Sequence, residues 1–229
     1  METSLIFISF IFVLTTIMCV VLFQIASQKD KKTYHIIVYW LIIQAVLRIT
    51  GIYSFAPPIF KFFFLILPPI FFIIYLFLNK KGKFFIDHID AKFLTVIHIY
   101  RVSLQLIFYT LILNNTLPEI ITPFYRNLEI VFGISALIIY YYGCVKKYIG
   151  RNLILIWNVL GLIILIAVIA NTNFSSSSHF PFQKFKIDPE NWISYFYFPV
   201  IWLPSFMVPL FIFAHLAIIR QIIILKEKF

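Results

Sequence analysis

Charge, glycine and cysteine are all scarce in this sequence, and each scarcity excludes a class of protein. Only 12% of the 229 residues are charged, where soluble domains carry roughly 25%. Hydrophobic residues make up 62%, and mean hydropathy is +0.97. A soluble fold of this length has no core large enough to hide that much apolar surface, which excludes an ordinary soluble enzyme or binding domain. The 6 glycines stand against 28 phenylalanines and 13 tyrosines. Helices built from this composition are expected to pack through large aromatic side chains rather than through a small-xxx-small seam such as GxxxG. Cys19 and Cys144 are the only cysteines and both fall in apolar runs, so no disulfide framework is implied.

Several signatures are also missing. There is no Gly-x-Ser-x-Gly, no His-Glu-x-x-His and no P-loop, so familiar hydrolase and nucleotide chemistry is not expected, and the reading leans away from an enzyme. No lysine occurs within 195–219 to form a retinal Schiff base. Met1-Glu2-Thr3 lacks the basic start of a secretory signal, so the first apolar run reads as a retained span.

What the sequence does have is apolar runs of roughly 20 residues, the length needed to cross about 30 Å of hydrocarbon, repeated from one end to the other. The expected fold is all-α: a polytopic transmembrane helical bundle of about seven spans near 4–26, 34–54, 58–78, 93–113, 122–144, 152–171 and 194–219. They fill 1–229 as a single transmembrane domain with no separate soluble domain. The connections include a tight turn at Ala56-Pro57-Pro58, a basic segment at 79–92 and a long polar loop at 171–194.

Basic residues give this bundle a direction. Of the 19 Lys and Arg, only Lys61, Arg126, Lys184 and Lys186 flank one side of the spans, Arg48 and Arg101 lie within spans, and the rest flank the other side. The lysine-rich side is expected to be cytoplasmic, which places the N-terminus outside and the C-terminus inside. The net charge of +10 is therefore a rim facing anionic lipid headgroups, not a nucleic-acid surface. A cell membrane, in a bacterium the inner one, is the expected location.

Ionisable groups in hydrocarbon are costly, and they are functional candidates by default. With 1.5 Å of rise per residue, distance from the nearest flanking cation estimates depth. His98 falls about 9 Å, Arg101 about 13 Å and Gln105 about 20 Å from Lys92. Spacings of three and four put His98, Arg101, Gln105 and Tyr109 on one helical face. His215 and Asn158 fall about 8 and 10 Å from Arg220 and Arg151, at the depth of His98. A second level is expected to hold Gln44, Arg48 and Glu129, with Arg48 and Glu129 close enough in depth to pair. Arg101 then has no acid at its own level, which suggests a partly hydrated cavity with an uncompensated cation.

That pattern supports three functions. The first is binding or translocation of a small anionic or amphipathic ligand around Arg101, with Gln105, His98, Tyr109, Arg48, Gln44, Glu129 and Asn158 as companions. The second is a redox subunit with a b-type haem held by His98 and His215 from different helices. The third is a structural or signalling partner subunit of a membrane-protein complex with no ligand. No metal site is expected, because the Asp87, His88 and Asp90 cluster reads as a solvated interfacial helix. Pro68-Pro69 and the five-residue series Pro199, Pro204 and Pro209 are expected to kink their helices and free backbone carbonyls. Trp40, Trp157 and Trp202 are expected between helices.

Several short pieces carry a resemblance. Arg101-Val-Ser-Leu-Gln105, Pro118-Glu119-Ile120, Arg126-Asn127, Trp157-Asn158, Pro181-Phe182-Gln183, Phe198-Pro199 with Trp202-Leu203-Pro204, and His215-Leu216 with Arg220-Gln221 together resemble an uncharacterised family of small bacterial seven-span membrane proteins. The resemblance covers about 98–221 and implies the topology and the interest of these positions, with no activity attached. That family has Glu more often where this chain has Gln105, a departure that would leave Arg101 without an acidic partner in the membrane.

Overall fold

A computed structural model describes residues 2–55, 58–114, 123–174 and 197–225. The expected turn at Ala56-Pro57 and the expected loop residues 115–122 and 175–196 lie outside it. Among the described residues every regular element is helical: α1 (Glu2–Ala26), α2 (Lys31–Ile49), α3 (Ile52–Phe55), α4 (Pro58–Leu78), α5 (Lys80–His88), α6 (Ala91–Ile97), α7 (Tyr100–Leu113), α8 (Pro123–Ile138), α9 (Arg151–Phe174) and α10 (Val208–Ile224). Two π-helical turns complete them, Ile139–Val145 after α8 and Leu203–Met207 before α10.

Five of these segments are long and apolar enough to cross a membrane: Ile6–Ala26, Ala91–Leu113, Arg126–Val145, Arg151–Ala170 and Leu203–Ile224. A sixth exists if α4 and α5, which meet at 93°, count as one broken crossing. The outer faces carry exposed apolar side chains such as Ile6, Phe7 and Phe10 on α1 and Ile163 and Ile166 on α9, as hydrocarbon-facing surfaces do. The protein is a helical membrane protein. Its central element is α10, whose crossing is 61% buried against 28–44% for the other four; α9, α6, α4 and α5 pack around it.

Local sequence explains where the helices stop and turn. Asp30, Asn79 and Asp90 are the N-caps of α2, α5 and α6, and each side chain accepts a backbone N–H from Thr33, Lys81 and Lys92 respectively. These caps are the residue types that satisfy orphan donors at a helix start. Asp30 also accepts from the Thr33 hydroxyl at 2.6 Å, and the Thr33 side chain and backbone together hold the Asp30 carboxyl below its usual range. Gln28 and Lys29 turn the chain with positive φ. At the α4–α5 corner the backbones come so close that a Cβ on Gly82 would lie 2.3 Å from the Leu76 carbonyl oxygen.

Two sequence-based expectations change here. The last span, expected at 194–219, runs from Leu203 to Ile224. Pro199 and Pro204 delay its start because proline has no N–H to continue the ladder, and Arg220 does not end it because that residue is engaged within the protein. The connection expected at 79–92 contains α5, and its charged cluster is divided among separate tasks. Asp87 takes a bidentate pair from Arg220 at 2.9 and 2.8 Å, the His88 ring bonds the Phe84 carbonyl at 2.7 Å, and Asp90 caps α6.

Next to that ion pair, Gln221 donates to the Ile86 and Ile89 carbonyls at 2.6 and 2.8 Å, closing the end of α5 against α10. Gln221 is fully buried, whereas the Arg220–Asp87 side chains are 17% and 19% exposed. Orphaning buried carbonyls costs about 1–3 kcal/mol, and partly exposed ion pairs contribute about 0–1 kcal/mol. Gln221→Leu is therefore expected to lower the thermal midpoint of detergent-purified protein more than Arg220→Ala does, as read by differential scanning fluorimetry.

Candidate functional site

The buried polar groups of four helices meet at one centre. Arg101 on α7 is 1% exposed and Glu129 on α8 is 3% exposed. Arg101 Nε donates to Glu129 Oε2 at 2.6 Å, and Arg101 Nη2 pairs with Glu129 Oε1, so the contact is bidentate. Arg101 Nη1 approaches His215 Nε2 on α10 at 3.4 Å. His215 Nδ1 lies 3.0 Å from Asn158 Oδ1 on α9, and Asn158 Nδ2 donates to the Ile154 carbonyl at 2.9 Å.

Donors and acceptors around this centre fit one protonation pattern. Asn158 uses its amide donor on the helix, so its oxygen accepts from His215 Nδ1–H. A neutral His215 then offers its Nε2 lone pair to the Arg101 guanidinium. The order runs from the Glu129 carboxylate through Arg101, His215 and Asn158 to a backbone carbonyl. It links α8, α7, α10 and α9 without a break.

Aromatic rings enclose the centre. His98, at the break between α6 and α7, stacks on His215 with ring centroids 3.9 Å apart and 20° between planes. Trp157 lies 5.6 Å from both imidazoles, Phe211 lies 5.7 Å from His98, and Arg101 sits over the Phe132 ring at 5.6 Å. The Trp157 indole donates to Ser135 Oγ at 2.9 Å. His98 is fully buried, and neither of its ring nitrogens has a hydrogen-bond partner among the described residues. The same holds for Gln105 Oε1.

Two glycines make this assembly possible, and sequence reasoning overlooked both. A Cβ on Gly161 of α9 would lie 2.5 Å from His215 Cε1, and a Cβ on Gly133 of α8 would lie 2.5 Å from a Val102 methyl carbon and 3.3 Å from the His98 carbonyl oxygen. With six glycines in the chain, a seam motif was not expected. The usable signal was the spacing Gly133 four residues after Glu129 and Gly161 three after Asn158, which puts each glycine on the face of its polar neighbour.

The expected companions of Arg101 are only partly gathered. His98, His215 and Asn158 lie together. Glu129 joins them instead of the second level, and it spends both oxygens on Arg101 rather than pairing with Arg48. Arg101 is therefore a compensated cation, contrary to the sequence-based expectation. Depth counted along straight helices went wrong because the chain breaks at His98-Ile99, where 3₁₀-type bonds join Arg101 N to His98 O and Val102 N to Ile99 O. The end of α8 also unwinds into a wider π turn, whose i→i+5 bonds shorten the rise.

Tyr109 leaves the stripe. It is 43% exposed and carries the Arg126 guanidinium 4.8 Å above its ring. Two steps of four residues rotate about 80° beyond whole turns of a 3.6-residue helix, enough to carry Tyr109 out of the core. Arg48 sits in the last turn of α2.

Gln44 belongs to a different structure, a repair of proline-broken helices by α2. Pro68 offers no N–H to the carbonyl of Phe64 four residues earlier, and Gln44 Nε2 reaches that carbonyl at 3.4 Å. Pro209 likewise leaves Ser205, and the Trp40 indole donates to the Ser205 carbonyl at 2.7 Å. The Gln44 amide oxygen accepts the Tyr53 hydroxyl at 2.6 Å. Trp40 and Gln44 are one helical turn apart, so one face of α2 serves α4 and the π turn before α10.

Above that face lies a cleft of about 410 Å³ between α1, α2, α4 and α10. Its walls include Ile36, Trp40, Pro68, Pro209 and Phe213, and its polar contributions come from Thr33 and Ser205. The size is that of a small-molecule pocket. None of its lining residues was among the sequence candidates for the site, although the prolines and Trp40 had been marked for other reasons.

Among the described residues no three His, Cys, Asp or Glu side chains group as metal ligands. Helices long enough to cross a bilayer, a buried ionic centre and an apolar lateral cleft define a polytopic helical membrane protein. The chain belongs to the family described as Domain of unknown function (DUF8737), whose model matches residues 58–223. That region contains the whole ionic centre and the α4 and α10 walls of the cleft. No curated protein and no solved structure matches the chain.

Removing one partner of a buried ion pair costs about 3–5 kcal/mol because the other charge is stranded, while replacing both by apolar residues is often neutral. Glu129→Gln and Arg101→Met are each expected to destabilise the protein strongly, and Arg101→Met with Glu129→Leu to recover most of the loss. Thermal midpoints of the four proteins in one detergent measure this cycle.

Proposed function

We propose that this protein is a seven-span membrane protein, resident in the cytoplasmic membrane of a bacterium, that binds an amphipathic molecule taken from the bilayer in the cleft between α1, α2, α4 and α10. The cleft itself is the observation that carries the reading: about 410 Å³ of apolar space held open by prolines whose freed carbonyls are satisfied from α2. The anion-binding form of the expectation loses its support, since Arg101 is buried and neutralised by Glu129.

The stacked histidines do not suit a haem. Axial ligands approach the iron from opposite faces of the porphyrin, whereas these rings lie 3.9 Å apart face to face. His215 moreover has both nitrogens engaged, by Arg101 and Asn158. The polar centre is better read as the fastening that holds α7, α8, α9 and α10 in one arrangement.

The seven crossings follow if α2 is added to the five apolar spans and the broken α4–α5 crossing. Its 19 residues extend about 28 Å, close to the hydrocarbon thickness. The distribution of lysine and arginine then puts the N-terminus outside. A C-terminal green fluorescent protein fusion is expected to fluoresce in cells and a C-terminal alkaline phosphatase fusion to be inactive; the reverse pair rejects this orientation.

Ligand binding is tested with a diazirine-bearing phosphatidylcholine in vesicles containing the protein. Label is expected on peptides of α2, α4 and α10. Ile43→Trp, which fills the cleft from a side chain 49% exposed, is expected to cut that labelling about fivefold while leaving the thermal midpoint near that of wild type, the displaced area being worth under ~1 kcal/mol. Uniform labelling of all lipid-facing helices in both proteins overturns the proposal.

A further inference from the structure

The cleft has a direction, and exposed lysines cluster beside one of its ends. Along α2 it extends from Thr33 to Ile43, about 15 Å of helix. That is the depth of one leaflet, half of the roughly 30 Å hydrocarbon core. Trp40 and Gln44 bond the Ser205 and Phe64 carbonyls and Gln28 bonds the His88 carbonyl, which puts lining residues Pro68 and Ser205 toward the end away from Thr33 and Leu76, Phe85 and Phe213 toward the end near it. α4 and α10 pass the cleft in the same direction, so the three walls agree on which end is which.

Cations collect at the Thr33 end. Lys32 precedes Ile36 by four residues and Lys81 precedes Phe85 by four, so each lysine shares a helical face with a cleft-lining residue. Lys31, Lys32, Lys80 and Lys81 are exposed. The acids nearby are committed: Asp30 to the Thr33 amide and hydroxyl, and Asp87 to Arg220. No residue lining the opposite end is charged, and the Ser205 carbonyl there is taken by Trp40; Arg48 lies beyond it, in the last turn of α2.

We infer that the occupant is an anionic phospholipid of the lysine-bearing leaflet, one acyl chain lying along α2 in the cleft and the phosphate headgroup held by Lys32 and Lys81. A chain one leaflet long fits the Thr33–Ile43 length, and its headgroup then reaches the water interface where exposed lysines hold anionic lipid. The inference rests on the cleft being a ligand site and adds the chemical class of ligand and the residues that select it.

Native mass spectrometry of the full chain, released from nanodiscs of phosphatidylglycerol and phosphatidylcholine with identical chains, tests it. Wild type is expected to retain one phosphatidylglycerol about tenfold over phosphatidylcholine, because two lysines attract a net-anionic headgroup and repel the choline cation of a zwitterionic one. Lys32→Gln with Lys81→Gln is expected to keep a lipid but lose the preference, and Ile43→Trp to keep neither. Equal retention of both lipids by wild type, an unchanged preference in the double lysine variant, or displacement of phosphatidylglycerol by equimolar palmitate overturns the anionic-phospholipid assignment and leaves the cleft standing as a ligand site. Full lipid retention by Ile43→Trp overturns the cleft reading itself.

Discussion

Hydrocarbon supplies no hydrogen bonds, so each polar group this chain carries into the membrane has to find its partner within the protein. Arg101 and Glu129 answer that constraint with a bidentate pair, and His215 and Asn158 extend the pair until it ends on the backbone of α9. The same constraint acts on the prolines. Each one that interrupts α4 or α10 exposes a carbonyl, and α2 is shaped by the need to reach two of them, through Gln44 and Trp40. The positions of five helices thus follow from where unsatisfied groups would otherwise lie.

Composition and apolar run length revealed the helical membrane class, because bilayer crossing imposes a length on every span that needs no knowledge of neighbours. The residues of the ionic centre were legible for a related reason: charged and amide side chains in an apolar run stand out one by one. Their pairing was not. Glu129 and Arg101 meet across a 3₁₀ break and a π turn, local departures that straight-helix counting does not contain. The resemblance implied that Gln105 in place of Glu deprives Arg101 of an acid, yet the acid comes from another helix at Glu129. Gly133 and Gly161 were invisible for the opposite reason, since their contribution is an absent side chain whose value depends on what presses against it. The cleft was hidden too, as its walls are ordinary apolar residues and only Trp40 and the prolines distinguished them.

The molecule divides into two regions with different physics. Around α7, α8, α9 and α10 the packing is polar within and enclosed by aromatic rings, and truncating any member strands a partner. Around α1, α2, α4 and α10 the contacts are apolar, the space between helices is larger, and the polar links are neutral hydrogen bonds to single carbonyls. α10 belongs to both, which is why it is the most buried helix. One wall, α10, is thus common to a half knit by buried polar bonds and a half that encloses an apolar cleft.

The contact between Gly161 and the His215 ring sets the register of α9 on α10 to a single residue. A one-residue screw of α9 would drive Leu160 or Leu162 into the imidazole that now faces Gly161, and rotating α9 in place would withdraw Asn158 from Nδ1. These two helices therefore behave as a keyed shaft that neither slips nor spins.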